Sequence, residues 1–128
     1  IVFPEKKVIA ICGDGGFLMN SQELETANRL KLNLTIIILR DNGFGMIKWK
    51  QKSMGLDDYA LSFGNPDFVS LAKSYGANGY QVEKSGDLEK CLKTISSKRG
   101  IHLIDVPIDY SDDYRILVKE LQEKTCLL

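Results

Sequence analysis

The chain is marked first by short apolar runs that do not alternate with polar residues. Lys7-Val8-Ile9-Ala10-Ile11-Cys12 ends at Gly13, and Leu34-Thr35-Ile36-Ile37-Ile38-Leu39 ends at Arg40-Asp41-Asn42-Gly43. Continuous runs of this length predict strands buried on both faces of a parallel sheet. Ile101-His102-Leu103-Ile104-Asp105-Val106 is a third run, stopped by Pro107, and Gly79–Glu83 is a weaker strand before it. Between the runs the apolar positions change to helical spacing. Phe68, Leu71, Ala72 and Tyr75 follow i, i+3, i+4, i+7, with Asn65 as N-cap, Pro66 in the first turn and Gly76 as the stop. Leu88, Cys91, Leu92 and Ile95 repeat the spacing, as do Tyr114, Leu117, Val118 and Leu121. Leu24, Ala27 and Lys31 give a weaker helix, capped by Asn20 or Ser21. Strands alternating with amphipathic helices predict an α/β fold with a parallel sheet. Gln51 to Gly64 fits neither period and reads as a mobile loop.

Composition narrows the class. Seventeen basic and seventeen acidic side chains cancel, which argues against a nucleic-acid binder. No stretch approaches the roughly 20 apolar residues of a membrane span. The first seven residues carry their charges after their apolar residues, the reverse of a signal peptide. Cys12, Cys91 and Cys126 are odd in number and widely spaced, so the expectation is buried free thiols in a reducing, cytoplasmic setting. The first strand begins almost at residue 1, as if the chain were entered in mid-domain.

Ligands of open α/β sheets bind at the carboxyl ends of strands. Two acidic turns fall there: Gly13-Asp14-Gly15-Gly16-Phe17 after the first strand, and Arg40-Asp41-Asn42-Gly43-Phe44-Gly45-Met46 after the second. If the strands are neighbours, Asp14 and Asp41 face each other across the sheet top. Glycines let the backbone approach a ligand closely, but two carboxylates repel a bare phosphate. A divalent cation between them removes the conflict, since Mg²⁺ takes one or two carboxylates, substrate phosphates and water. The turns read as a metal-diphosphate clamp, with plain β-hairpin turns as the alternative of about equal weight. Leu18 stands where a dinucleotide fingerprint needs its third glycine, and there is neither a P-loop nor a nucleophile elbow. His102, the only histidine, reads as a core or edge residue within its strand, and Cys12 as core.

Gly13-Asp14-Gly15 followed by Arg40-Asp41, with 27 positions between the aspartates, resembles the thiamine-diphosphate motif. Gly15–Met19, Gln22–Ala27, Phe63–Phe68 and Asp105–Asp112 are similar to acetolactate synthases of the catabolic, flavin-independent type, and the resemblance covers about residues 1 to 112. It implies a three-layer thiamine-diphosphate-binding fold, with helices on both faces of the parallel sheet and its N-terminal part lacking. Residues 1–128 would be part of the C-terminal cofactor domain of a larger multidomain enzyme. The implied metal ligands are Asp14, Asp41 and the carbonyl of Gly43. Gly13, Gly15 and Gly16 would seat the diphosphate, with Gly45 and Met46 beside it, and Met46 and Lys50 would border the substrate pocket.

The implied cofactors are thiamine diphosphate and Mg²⁺. The implied reaction condenses two pyruvates to 2-acetolactate with loss of CO₂. No catalytic glutamate is assignable here; it would come from the pyrimidine-binding domain of a partner subunit in a homodimer or homotetramer. The chain alone is therefore expected to be inactive. Arg40 replaces the family's usual Asn and is a cation within reach of a phosphate. Trp49 is one place before the position where anabolic relatives carry Trp. One helical step turns a side chain by about 100°, so Trp49 is expected to point away and simply pack. Two other readings are a thiamine-diphosphate-dependent decarboxylase or ligase of another 2-oxo acid, and a receiver-like Mg²⁺-binding module. The second is disfavoured because Asp105-Val106-Pro107 offers no late lysine.

Overall fold

A computed structural model describes residues 2–84 and 86–111. Its elements run β1 (Val8–Gly13), α1 (Asp14–Leu18), α2 (Glu23–Arg29), β2 (Leu34–Arg40), α3 (Gly45–Ser53), α4 (Phe68–Ser74), β3 (Asn78–Gln81), α5 (Asp87–Ser96) and β4 (Ile101–Pro107). The helix expected around Tyr114 to Leu121, and Cys126, lie outside the described residues. All pairings are parallel, in the order β1-β2-β4-β3. Hairpins at the two acidic turns are thereby excluded.

The strand order explains the layers. From β1 through β2 to β3 the chain advances across the sheet, stepping over β4, and then turns back. Right-handed crossovers put forward connections on one face and the return on the other. On one face, Ile36, Ile38, Ile101 and Leu103 pack with Phe17, Leu24, Phe68 and Ala72 from α1, α2 and α4. On the other, Ile37, Ile104 and Val106 pack with Ile95, Leu88, Cys91 and Leu92 from α5. The Phe17 and Phe68 rings meet edge-on at 5.7 Å and join α1 to α4. Among the described residues no helix is long and apolar enough to cross a membrane.

Four expectations need correction. β1 is not buried on both faces: it is an edge strand, and Val8, Ile9 and Ile11 are 55%, 54% and 65% exposed. Its apolar run is like that of β2, but only β2 has a strand on each side. The N-cap of α4 is Asp67, whose carboxylate accepts from the Ser70 N–H at 3.0 Å, and Asn65 stands two residues upstream. Neither Asn20 nor Ser21 caps α2, which begins after Gln22 with no side-chain cap. Cys12 and Cys91 are free but only partly buried, and burial raises both thiol pKa values. Gly76 does terminate α4, at φ +75° just after the cap residue Tyr75.

His102 is 1% exposed, and its Nδ1 lies 3.3 Å from the Tyr80 hydroxyl. Lys7 is nearby; its ammonium donates to the carbonyls of Ile95, Ser96 and Lys98 at the C-terminus of α5, where a cation is favoured. Burial, then the Lys7 charge, lowers the His102 pKa, and the carbonyls of Lys98 and Arg99 offset this in part. An unfolded histidine takes up its proton near pH 6.5. Below that the unfolded chain binds more protons than the folded one, so stability falls as pH drops toward the folded pKa. Urea midpoints should therefore fall between pH 7 and pH 5, and less so in His102→Gln. An equal fall in both proteins would remove His102 as the cause.

Candidate cofactor site at the strand ends

β1 and β2 are neighbours in register, with Gly13 opposite Leu39, so the two acidic turns emerge side by side. A cavity of about 450 Å³ opens between them. Gly13, Asp14, Gly15, Gly16, Asp41, Gly43, Gly45 and Met46 all line it, together with Trp49 and Tyr110. A second cavity of about 380 Å³ shares Asp41, Gly43, Gly45, Trp49 and Tyr110 with the first. Lys50 is exposed and lines neither. Trp49 lines both, contrary to the expectation that it points away, and its Nε1 is buried without a hydrogen-bond partner. The one-residue step that was expected to turn Trp49 outward instead turns Lys50 to solvent.

Asp14 is 1% exposed, and most of its acceptor capacity is taken up by orienting bonds. Its Oδ1 accepts from the Gly15 N–H at 2.8 Å; its Oδ2 accepts from the Asn42 N–H at 2.8 Å and the Asn65 amide at 2.6 Å. A carboxylate offers roughly four acceptor positions, so about one is left for a ligand. Asp41 is less buried. Its pKa is raised, first by desolvation and then by the Asp14 charge, while the N–H groups of Gly43 and Asp41 itself lower it. Two carboxylates pressed together in this way favour an intervening cation.

The second turn is shaped by the segment behind it. Phe44 N–H donates to the Leu61 carbonyl at 2.9 Å, and Phe63 N–H donates to the Asn42 carbonyl at 3.1 Å. These bonds flank an antiparallel bridge between Gly43 and Ser62. In such a bridge the central residue turns its own N–H and C=O away from the partner segment, and the Gly43 N–H interacts with Asp41. A Cβ at Gly43 would stand 2.9 Å from the Leu61 carbonyl oxygen, so the close approach requires glycine. Asn42 adopts φ +59°, which asparagine tolerates. The stretch read as a mobile loop thus begins with the end of α3, and residues 61–65 brace the turn.

Arg40, expected to be within reach of a phosphate, lines neither cavity and is paired across the sheet. Its Nε donates to Asp105 Oδ1 at 2.8 Å, and the pair is largely buried. The Asp105 bond raises its pKa despite desolvation, and the charges of Asp105 and Asp14 add to the rise. Its backbone carbonyl accepts from the Ile108 N–H at 3.0 Å, which ties the end of β2 to the segment carrying Tyr110.

The donor set fits a hard divalent cation carried by a phosphate ligand. It comprises two converging carboxylates and a backbone carbonyl, with glycine surfaces leaving room for ligand oxygens. Among the described residues no three His, Cys, Asp or Glu side chains cluster as a self-sufficient metal cage. The remaining coordination positions would therefore fall to the ligand and water. Glycine provides the cradle: a Cβ at Gly45 would stand 2.6 Å from Asp41 Oδ2. Asn42 and Asn65 were not singled out as site residues from the sequence. For Asn65 the proximity of Pro66 suggested a cap, and only the fold shows it turned to Asp14.

A parallel α/β sheet with an acidic, glycine-lined cleft at its carboxyl edge is an architecture suited to holding a cofactor at the strand ends. Residues 1–106 match the family model for the thiamine pyrophosphate enzyme, C-terminal TPP binding domain, and the chain belongs to this family. It is 38% identical over 124 residues to an acetolactate synthase of Bacillus subtilis, covering 97% of this chain and 22% of that protein. It is 38% identical over 113 residues to a catabolic acetolactate synthase of Raoultella terrigena, covering 88% of this chain and 20% of that one. The chain thus spans about a fifth of the length of these relatives. Among solved structures, it is similar to a thiamine diphosphate-dependent 4-hydroxybenzoylformate decarboxylase of Rhodococcus jostii RHA1. That match has a TM-score of 0.76 and 28% identity, covering 84% of this chain and 21% of the other.

Proposed function

We propose that this chain is the diphosphate- and Mg²⁺-seating part of a thiamine-diphosphate-dependent acetolactate synthase, condensing two pyruvates to 2-acetolactate with loss of CO₂. The observation that carries the proposal is the pairing of Asp14 and Asp41 at adjacent strand ends around a glycine-lined cavity. The similarity to acetolactate synthases along nearly the whole chain supports the choice of reaction. Asp14, Asp41 and the Gly43 carbonyl would hold Mg²⁺, and Gly13 and Gly16 would seat the diphosphate. The Gly15 N–H is committed to Asp14, so Gly15 contributes its missing side chain more than its N–H. When bound, thiamine diphosphate would supply a carbon nucleophile and an electron sink for decarboxylation. Met46 and Trp49, on α3, line the cavity and would border the space where pyruvate reacts. The activating glutamate comes from the pyrimidine-binding domain of a partner subunit, in a cytoplasmic homodimer or homotetramer.

The similarity to a decarboxylase structure supports a second reading, action on an aryl 2-oxo acid. The test uses the full-length protein. Thiamine diphosphate with Mg²⁺ should raise its melting temperature, EDTA should cancel the rise, and pyruvate should yield acetolactate. The 128-residue chain alone should yield none. Turnover of benzoylformate without acetolactate from pyruvate would replace the first reading with the second. The absence of any metal-dependent shift would reject both.

A further inference from the structure

We propose that Asn65 is a positioning residue for the metal site: its side-chain amide fixes Asp14 and the Asn42 turn in the geometry that admits Mg²⁺. The inference rests on the site reading above. The Asn65 nitrogen donates to Asp14 Oδ2 at 2.6 Å and to Asn42 Oδ1 at 2.9 Å. A carboxylate only accepts, so the nitrogen must face Asp14. Its second hydrogen is then directed to Asn42, whose side chain must present oxygen. One amide thus ties together the carboxylate after β1 and the turn after β2, the two elements that would share the ion. Asn42 closes the triangle, because its own N–H donates to the same Asp14 oxygen at 2.8 Å.

The Asn65 carbonyl oxygen is buried with no hydrogen-bond partner. The side chain is therefore held by its nitrogen alone, and its orientation serves the site at the expense of its own oxygen. The cap role is filled by Asp67, so α4 does not require Asn65. The chain behind Asn65 is also fixed: Pro66 follows, and residues 61–63 are bonded to the Asn42 turn. The amide is delivered from a braced segment.

Partners that orient metal ligands are commonly worth about 10- to 100-fold in metal affinity. Mg²⁺ needs near-ideal octahedral geometry, whereas Ca²⁺ tolerates irregular shells. Loss of a positioning residue should therefore harm Mg²⁺ more than Ca²⁺, whereas general damage to the fold would harm both alike. In full-length protein saturated with thiamine diphosphate, the melting shift is titrated with Mg²⁺ and with Ca²⁺. Asn65→Ala and the near-isosteric Asn65→Leu should raise the half-saturating Mg²⁺ concentration about 10- to 100-fold. The Ca²⁺ value should rise less. Asp41→Ala is the reference and should lose both shifts. If Asp41→Ala loses them while the Asn65 variants keep the wild-type Mg²⁺ value, or lose Mg²⁺ and Ca²⁺ equally, the positioning role is wrong and the site reading stands. If the wild type shows no metal-dependent shift, or Asp41→Ala retains it, the site reading fails and this inference with it.

Discussion

Asp14→Ala is expected to abolish Mg²⁺-dependent retention of thiamine diphosphate and to destabilise the protein even without metal. Asp41→Ala is expected to abolish only the first. Removing a ligand should exceed the roughly 10- to 100-fold cost of removing a supporting partner. The difference in stability comes from what each carboxylate holds. Asp14 is buried and accepts from Gly15, Asn42 and Asn65, so alanine leaves three donors without their acceptor. Each buried donor left unpaired costs about 1–3 kcal/mol, unless water enters the space. Asp41 is more exposed, and its raised pKa reflects desolvation and repulsion from Asp14. Its removal relieves that repulsion. Urea denaturation in EDTA, beside Mg²⁺ titrations with thiamine diphosphate, separates the two. Equal metal-free stability in both variants would mean that Asp14 has no structural role.

Both acidic turns could be read from the sequence because each lies directly after an apolar run, where parallel strands present their ligands. The position of β1 could not. Val8, Ile9 and Ile11 look as suited to burial as Ile36, Ile37 and Ile38, yet only the strand order shows which run has neighbours on both sides. β4 was the clearest case: every residue from Ile101 to Val106 is buried, with a strand on each side. α3 gave a weak signal because none of its residues is buried. Without a buried stripe the sequence does not fix its rotation, and it is Trp49, not Lys50, that lines the cavities. Arg40 looked like a cation available to a ligand because its partner, Asp105, lies 65 positions away on β4. Asn65 was hidden for a local reason. Asn before Pro is a good cap signal, but Asp67, three residues before Ser70, supplies the bond that closes the helix.

Gly45→Ala should separate binding from stability in the opposite sense to Asp14→Ala. Gly45 opens α3 and has no positive φ, so its backbone accepts a side chain. In a helix alanine is favoured over glycine by about 0.5–1 kcal/mol. The new methyl would stand 2.6 Å from Asp41 Oδ2, with Tyr110 at an ordinary 3.9 Å. The atom in the way is the end of a rotatable side chain, so Asp41 swings aside and the helix stays. The swing moves the carboxylate from its present orientation. Metal-free stability should therefore hold or rise by up to about 1 kcal/mol. Mg²⁺ affinity in the presence of thiamine diphosphate should fall by at least about 100-fold, because a ligand and not merely its support is displaced. Unchanged Mg²⁺ affinity in Gly45→Ala would show that Asp41 does not bind the ion from the orientation seen here. A loss of metal-free stability would show that the methyl moves α3 instead of the carboxylate.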